Sequence, residues 1–222
     1  MRVSALVVTL ATAACAVTAV GQAPSASAQE CGRPHGPMVA YGHSYLHSPE
    51  IGGATLSYAT IAANALGVTP VIRAANGDTT ADVAKLVTQG PTKWVPGTAD
   101  IVLIDSSIND ILHKVPTKTW TTQLRRILSA IAVSPVPVVL LVRPLQVSAP
   151  THPGKDSEVI EAYAEEQQSI ADEFSAVHIV DASSGWNPKR DLSADGIHPN
   201  NDGERHLARA VQREAVQSFC AP

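Results

Sequence analysis

Positive charge is sparse in this chain of 222 residues, with sixteen lysines and arginines that are scattered apart from the pairs Arg125-Arg126 and Lys189-Arg190. A phosphate backbone needs a basic stripe, so the composition argues against nucleic acid as a partner. Charge of either sign is low, 16% of residues with a net of -4, while 45% are apolar. That balance suits one compact domain and leaves little scope for a disordered tail. No internal repeat appears. No dense His/Cys ligand pattern appears either, so no metal is expected, and the candidate reacting residues call for no organic cofactor.

Cysteine is also scarce, at three residues. The first of them, Cys15, lies in a stretch with an early arginine, an apolar run from Val3 to about Val20 and a small-residue exit, Ala26-Ser27-Ala28. This is the pattern of a secretory signal, here residues 1–28, which leaves residues 29–222 as the mature domain. An uncleaved anchor competes, since the run is near the lower limit for spanning, but its alanine and threonine content and the Ala-x-Ala site favour cleavage. A lipoprotein signal at Cys15 is disfavoured because Thr12 stands where an aliphatic residue is wanted. Cleavage leaves no stable membrane anchor and leaves Cys31 and Cys220 in an oxidising compartment, where a disulfide between them is expected; two free thiols are the alternative.

From Gly36 onward, apolar runs alternate with helical patterns about five times, the signature of a parallel sheet covered on both faces. Strands are predicted at Met38–Tyr41, Pro70–Ala75, Asp100–Asp105, Val138–Leu145 and Val177–Val180. Helices are predicted from Ala54 to Leu66, stopped by Gly67; from an Asp78 or Thr79 cap through Val87; through Trp120, Leu124, Ile127, Leu128 and Ile131; through Val159, Tyr163, Ile170 and Phe174; and from Asn201 to Ser218. The last should run antiparallel to the strands and return Cys220 to the edge where Cys31 lies.

The first strand leads into Tyr41-Gly42-His43-Ser44-Tyr45, a hydroxyl on a glycine turn at the carboxyl end of a strand, where open α/β sheets bind ligands. A Gly-x-Ser triplet alone is commonplace. Its weight comes from the far end of the chain, where Asp195-Gly196-Ile197-His198 offers the carboxylate and imidazole that a serine nucleophile needs. The sequence lacks Gly-x-Ser-x-Gly, so the nucleophile elbow of the α/β-hydrolases is not indicated.

Four stretches end at the same sheet edge: Gly42-His43-Ser44, Asn76-Gly77-Asp78-Thr79-Thr80, Ser107-Ile108-Asn109-Asp110 and Asp195-Gly196-Ile197-His198. Together and in this order they resemble the four blocks of the SGNH/GDSL hydrolases, a family of esterases, thioesterases and deacetylases. The resemblance implies a flavodoxin-like three-layer α/β/α sandwich on a five-stranded parallel sheet. It implies Ser44 as nucleophile, His198 as base and Asp195 as its orienting carboxylate, with an oxyanion hole from the Ser44 and Gly77 N–H groups and the Asn109 amide. The expected function is that of a secreted, monomeric serine esterase acting on a small-molecule or polysaccharide acyl ester, with short acyl groups preferred because few insertions exist to build a long pocket.

Three positions depart from the family pattern. The aspartate and leucine of the usual Gly-Asp-Ser-Leu block are His43 and Tyr45, and the glycine that usually opens the third block is Ser107. The departures at His43 and Ser107 give the alternative reading, a secreted binding protein that keeps the fold without turnover. Asp110-Ile111-Leu112-His113 repeats the Asp-x-x-His spacing, and a metal cluster of both pairs is a third, disfavoured possibility. Asp195 and His198 are preferred because Pro199 and the terminal helix follow them. The other histidines, His35, His47, His152, His178 and His206, are expected mostly at the surface or satisfied, and Trp186 and Arg190 either line a substrate rim or pack their loop.

Overall fold

The computed structural model describes residues 31–47, 52–89, 99–134 and 136–220. The signal expected over residues 1–28 lies outside them. In chain order the elements are β1 (Met38–Gly42), α1 (Ser44–His47), a 3-10 turn at Ala54–Leu56, α2 (Tyr58–Leu66), β2 (Pro70–Ala74), α3 (Thr80–Gln89), β3 (Ile101–Ile104) and α4 (Ile108–Leu112). They continue with α5 (Thr117–Ala132), β4 (Val138–Val142), a 3-10 turn at Pro153–Lys155, α6 (Ser157–Ala171), β5 (Val177–Val180), α7 (Pro188–Asp191) and α8 (Asn201–Cys220).

All strand pairs are parallel, in the order β2-β1-β3-β4-β5. The three central strands are buried along their whole length, which is why they read as unbroken apolar runs, whereas β2 and β5 at the edges are half-exposed. Pro70 opens an edge strand, where its missing N–H costs least. Side chains alternate across the sheet. Met38 and Ala40 join Leu103, Leu140 and the apolar stripe Leu207, Val211 and Ala215 of α8 on one face, which α2 shares. Val39 and Tyr41 join Val102, Leu141 and the residues of α3, α5 and α6 on the other. There Trp120 is fully buried, its ring 4.8 Å from that of Tyr163. Burying one such Val, Leu or Ile stabilises by roughly 1.5–3 kcal/mol, so the two faces supply the driving force for the sandwich.

The helices begin and end where local chemistry dictates. Ser57 caps α2 by accepting the Thr60 N–H, and Gly67 ends it. Thr79 precedes α3 and donates both its N–H and its hydroxyl to the Asp82 carboxylate three residues on, which satisfies the N–H at the start of the helix. Asn200 caps α8 by accepting the N–H groups of Asp202 and Gly203 at 2.8 and 3.2 Å. Three short helices, α1, α4 and α7, fall outside the predicted set, because each spans too few residues to leave a 3.6-residue period.

Cys31 and Cys220 are joined, with Cα atoms 4.4 Å apart across a separation of 189 residues. The segment between Cys31 and β1 is held further by Asp100, which accepts the His35 and Gly36 N–H groups at 2.6 and 2.7 Å. In the chain-entropy picture a loop of this length contributes about 5 kcal/mol. From β1 the chain passes to β2 on one side and then crosses to β3 on the other. The carboxyl ends of β1 and β3 therefore flank a topological switch point, the crevice where such sheets hold ligands.

Candidate active site

Ser44 is the first residue of α1, directly beyond the turn that ends β1, and is 5% exposed. The turn must pass close to the neighbouring strand. A Cβ at Gly42 would stand 2.4 Å from the Asp105 carbonyl oxygen, so only glycine fits there. His198 is brought to Ser44 from 154 residues away, its Nε2 2.9 Å from the Ser44 Oγ. The other ring nitrogen, Nδ1, is 2.6 Å from Asp195 Oδ2. An ionised carboxylate can only accept, which assigns a proton to Nδ1 and leaves Nε2 as the acceptor facing Ser44.

Asp195 is itself held by its own turn. Its Oδ1 accepts the N–H groups of Ile197 at 2.8 Å and His198 at 3.0 Å. Burial pushes this carboxyl up, but the hydrogen bonds from the His198 ring and these two N–H groups outweigh it and hold its pKa below the ordinary carboxylate value. The arrangement can keep Asp195 ionised, orient the imidazole and draw the proton from a serine hydroxyl.

The second and third stretches meet beside it. Asn109 lies in α4, and its side-chain N–H₂ donates to the Asp78 carbonyl at 2.9 Å, leaving one amide hydrogen for another acceptor. Gly77 adopts φ +83°, and a Cβ there would meet no atom within 4 Å, so its surroundings are open to a ligand. Ser107 stands at φ +147°, a conformation that favours glycine and strains a side-chain-bearing residue by about 1–3 kcal/mol. That is a physical reason for glycine at this position in other members of the pattern.

The departures His43 and Tyr45 enter a buried polar network. His43 is 1% exposed; its Nδ1 accepts the Tyr45 N–H at 3.4 Å, and its Nε2 lies 3.3 Å from Asp105 Oδ1 but out of line for a hydrogen bond. Asp105 Oδ2 accepts the Tyr58 hydroxyl at 2.7 Å, and the Tyr58 N–H donates to Glu204 at 2.5 Å. These contacts link the turn before Ser44 to the end of β3, α2 and α8. Sequence reasoning missed Asp105, Tyr58 and Glu204; a charged residue inside the helical stripe of α8 was the one available signal.

The second Asp-x-x-His pair is not brought to Ser44. Asp110 Oδ2 accepts both the N–H and the hydroxyl of Thr80 at 2.8 Å, anchoring the start of α3, and burial raises its pKa. His113 caps the end of α4 and is exposed. Among the remaining histidines, His152 corrects the surface-or-satisfied expectation. It is 2% exposed, with Nδ1 accepting the Gly154 N–H at 2.8 Å, Nε2 without a partner, and a pKa lowered by burial. Trp186 donates its indole N–H to the Gln146 carbonyl, and Arg190 grips Asp191 and the Gly185 carbonyl, so both pack their loop. A cavity of about 850 Å³ opens at the opposite edge, beside Cys31 and Phe219, away from every reacting group named above. No group of three or more His, Cys, Asp and Glu side chains converges as a metal site among the described residues, and no described helix is long and apolar enough to cross a membrane.

Residues 40–206 match the model of the GDSL-like lipase/acylhydrolase family. An arylesterase of Vibrio mimicus is 29% identical over 156 residues, covering 68% of this chain and 71% of that protein. In fold, the chain is similar to the lipase/acylhydrolase from Enterococcus faecalis (TM-score 0.67, 18% identity, 82% of this chain and 95% of that one). It is also similar to TesA (TM-score 0.68, 17% identity, 80% and 97%) and to a G-D-S-L family lipolytic protein from Veillonella parvula (TM-score 0.67, 14% identity, 80% and 96%). The match spans the sheet, both helical layers and the four stretches at its carboxyl edge, and the chain thus belongs to the SGNH/GDSL hydrolase family of carboxylic ester hydrolases.

Proposed function

We propose that the protein is a secreted serine esterase that uses Ser44, His198 and Asp195 as a triad. The observation that carries this reading is the continuous line of contacts from Ser44 Oγ through the His198 ring to Asp195, 2.9 and 2.6 Å long. His198 Nε2 takes the Ser44 proton as Oγ attacks the ester carbonyl, and the negative charge moves to the carbonyl oxygen. The Ser44 and Gly77 N–H groups and the free amide hydrogen of Asn109 receive that charge, and one such donor is typically worth about 2.7–4 kcal/mol of barrier. When the tetrahedral adduct collapses, the C–O bond to the alcohol breaks and His198 returns its proton to the leaving oxygen. Water, deprotonated by the same histidine, then releases the acid and frees Ser44.

Short acyl groups are the preferred substrates in this reading. The switch-point turns are brief, with Ser44 two residues beyond Gly42 and α4 opening four residues after Ile104, so little chain is available to wall a long acyl tunnel. The Vibrio mimicus arylesterase supports aryl esters as test substrates. Export through the residue 1–28 signal accords with the Cys31–Cys220 bridge, which needs an oxidising compartment. In this reading the domain acts as a monomer, since the large exposed apolar side chains among the described residues, Leu56, Leu112, Val133 and Val216, are spread over the first 3-10 turn, α4, the end of α5 and α8.

The test is labelling of the purified protein with a fluorophosphonate and hydrolysis of p-nitrophenyl esters from acetyl to palmitoyl. Ser44 should carry the label, activity should peak between acetyl and butyryl, and Ser44→Ala should abolish both. An unlabelled protein without esterase activity would instead favour a binding protein on the same fold.

A further inference from the structure

The turn that carries Asp195 and His198 exposes three consecutive carbonyls, and each is held by a donor from a different part of the chain. The Gly196 oxygen accepts the N–H groups of Ser148 and Ala149 at 2.8 and 3.1 Å, from the loop after β4. The His198 oxygen accepts the Ser193 N–H at 2.8 Å, within the same loop. The Ile197 oxygen accepts the phenolic O–H of Tyr45 at 2.6 Å. Of these donors, Tyr45 alone comes from the helix that begins with Ser44.

The result is a pair of parallel ties between two short segments. Ser44 meets His198 through Oγ and Nε2, and the next residue, Tyr45, meets the preceding residue, Ile197, through a hydroxyl and a carbonyl. The Tyr45 ring is 5% exposed and stands edge-on to the rings of His43 and His198, with centroids 4.9 and 6.1 Å away. Its backbone N–H donates to His43 Nδ1, so the residue is held both at its main chain and at its hydroxyl. Burial raises the Tyr45 pKa well above its ordinary value, with Asp105, Asp195 and Glu204 adding to the effect, so the phenol keeps its proton and remains a donor. A leucine at this place, as in the usual family block, fills space but donates nothing.

We infer that Tyr45 is a positioning residue that sets the Ser44–His198 distance by tethering the base's turn to the nucleophile's helix. The inference rests on the reading of Ser44 and His198 as nucleophile and base. Tyr45 touches no reacting atom; it acts through His198, because a shift of a fraction of an ångström in the imidazole is enough to lose the aligned proton transfer.

The experiment is a double-mutant cycle with p-nitrophenyl acetate on four purified proteins: wild type, Tyr45→Phe, His198→Ala and the double variant, each checked for native circular dichroism. Tyr45→Phe keeps the ring and removes only the donor. It should lower kcat about tenfold with KM within twofold of wild type. In the His198→Ala background the same change should move the residual rate less than twofold, since there is no longer a base to position. General loosening of the fold would lower both backgrounds alike, and equal losses overturn the inference. A kcat within twofold of wild type for Tyr45→Phe overturns it too, while a His198→Ala rate lowered by several orders of magnitude, yet still above the uncatalysed rate, would leave the triad reading standing. A fully active His198→Ala would sink the triad and the tether together.

Discussion

Asp195–His198 and Asp110–His113 present the same residue types at the same spacing at the carboxyl edge of one sheet, the first in a turn and the second on the short helix α4 and its cap. In the first, Asp195 spends one oxygen on the histidine ring and the other on N–H groups of its own turn, and the ring reaches Ser44. In the second, Asp110 spends its Oδ2 on Thr80, and His113 ends a helix in solvent. Spacing sets what a pair of side chains is capable of, and the partners already waiting for the carboxylate decide what it does. A carboxylate engaged by a helix start anchors structure; one engaged by an imidazole prepares a base.

The largest effect that can break this comparison is on turnover. His198→Ala should lower kcat by several orders of magnitude, as triad histidines do, whereas His113→Ala should stay within a few fold of wild type. Initial rates on p-nitrophenyl acetate decide it, and the reverse outcome would mean that the wrong pair has been assigned. The two carboxylates should separate next. Asp195→Asn should cut kcat strongly, though less than loss of the base, with only a small drop in melting temperature at neutral pH. Asp110→Ala should strand the Thr80 N–H and hydroxyl, destabilising the fold by about 1–3 kcal/mol while kcat of the folded protein changes little. Denaturant titration paired with rates at a temperature below melting tests both; a rate loss from Asp110→Ala as deep as that from His198→Ala would end the distinction.

Ser107 opens the turn that carries the second pair, and its strain sharpens the contrast further. Ser107→Gly should relieve the φ +147° conformation and stabilise the protein by about 1 kcal/mol without altering kcat. An unchanged or lowered melting temperature would show that no strain is stored there. The smallest effect lies in the pH dependence of stability, where the two carboxyls have opposite signs. The Asp195 pKa is held below the ordinary value of about 3.9, so its contribution is present above that pH and fades as pH falls through the lower, folded value. The Asp110 pKa is raised, so its contribution is present below about pH 3.9 and fades as pH rises through the higher, folded value. On acidification the melting-temperature deficit of Asp195→Asn should therefore shrink and that of Asp110→Asn should grow. Parallel trends would contradict the assignment of one as stabilised by hydrogen bonds and the other as penalised by burial.

The strands and long helices were legible in the sequence because burial on two faces writes itself as unbroken apolar runs, and burial on one face of a helix as a 3.6-residue period. Val177–Val180 was bounded to the residue, and the other strands to within a few positions at either end. Ser44, Asn109, Asp195 and His198 were legible as reacting types at plausible turns. The network of His43, Asp105, Tyr58 and Glu204 was not, since its members come from four separate stretches of the chain and Glu204 alone, a charge inside the apolar stripe of α8, stands out from its local pattern. His152 was misjudged for the same reason, because nothing around it in the sequence shows that its loop folds inward.

By itself, then, the chain's order of residues determined the sheet, its covering layers and which side chains could react, since these follow from propensities and periods that act over a few residues. Which Asp-x-x-His would meet the serine, whether Tyr45 would find a carbonyl 152 residues away, and where Trp186 would spend its N–H were decided only in the folded molecule. Those contacts depend on the register and crossing of parallel strands, which bring distant turns to one edge at distances that no local spacing encodes.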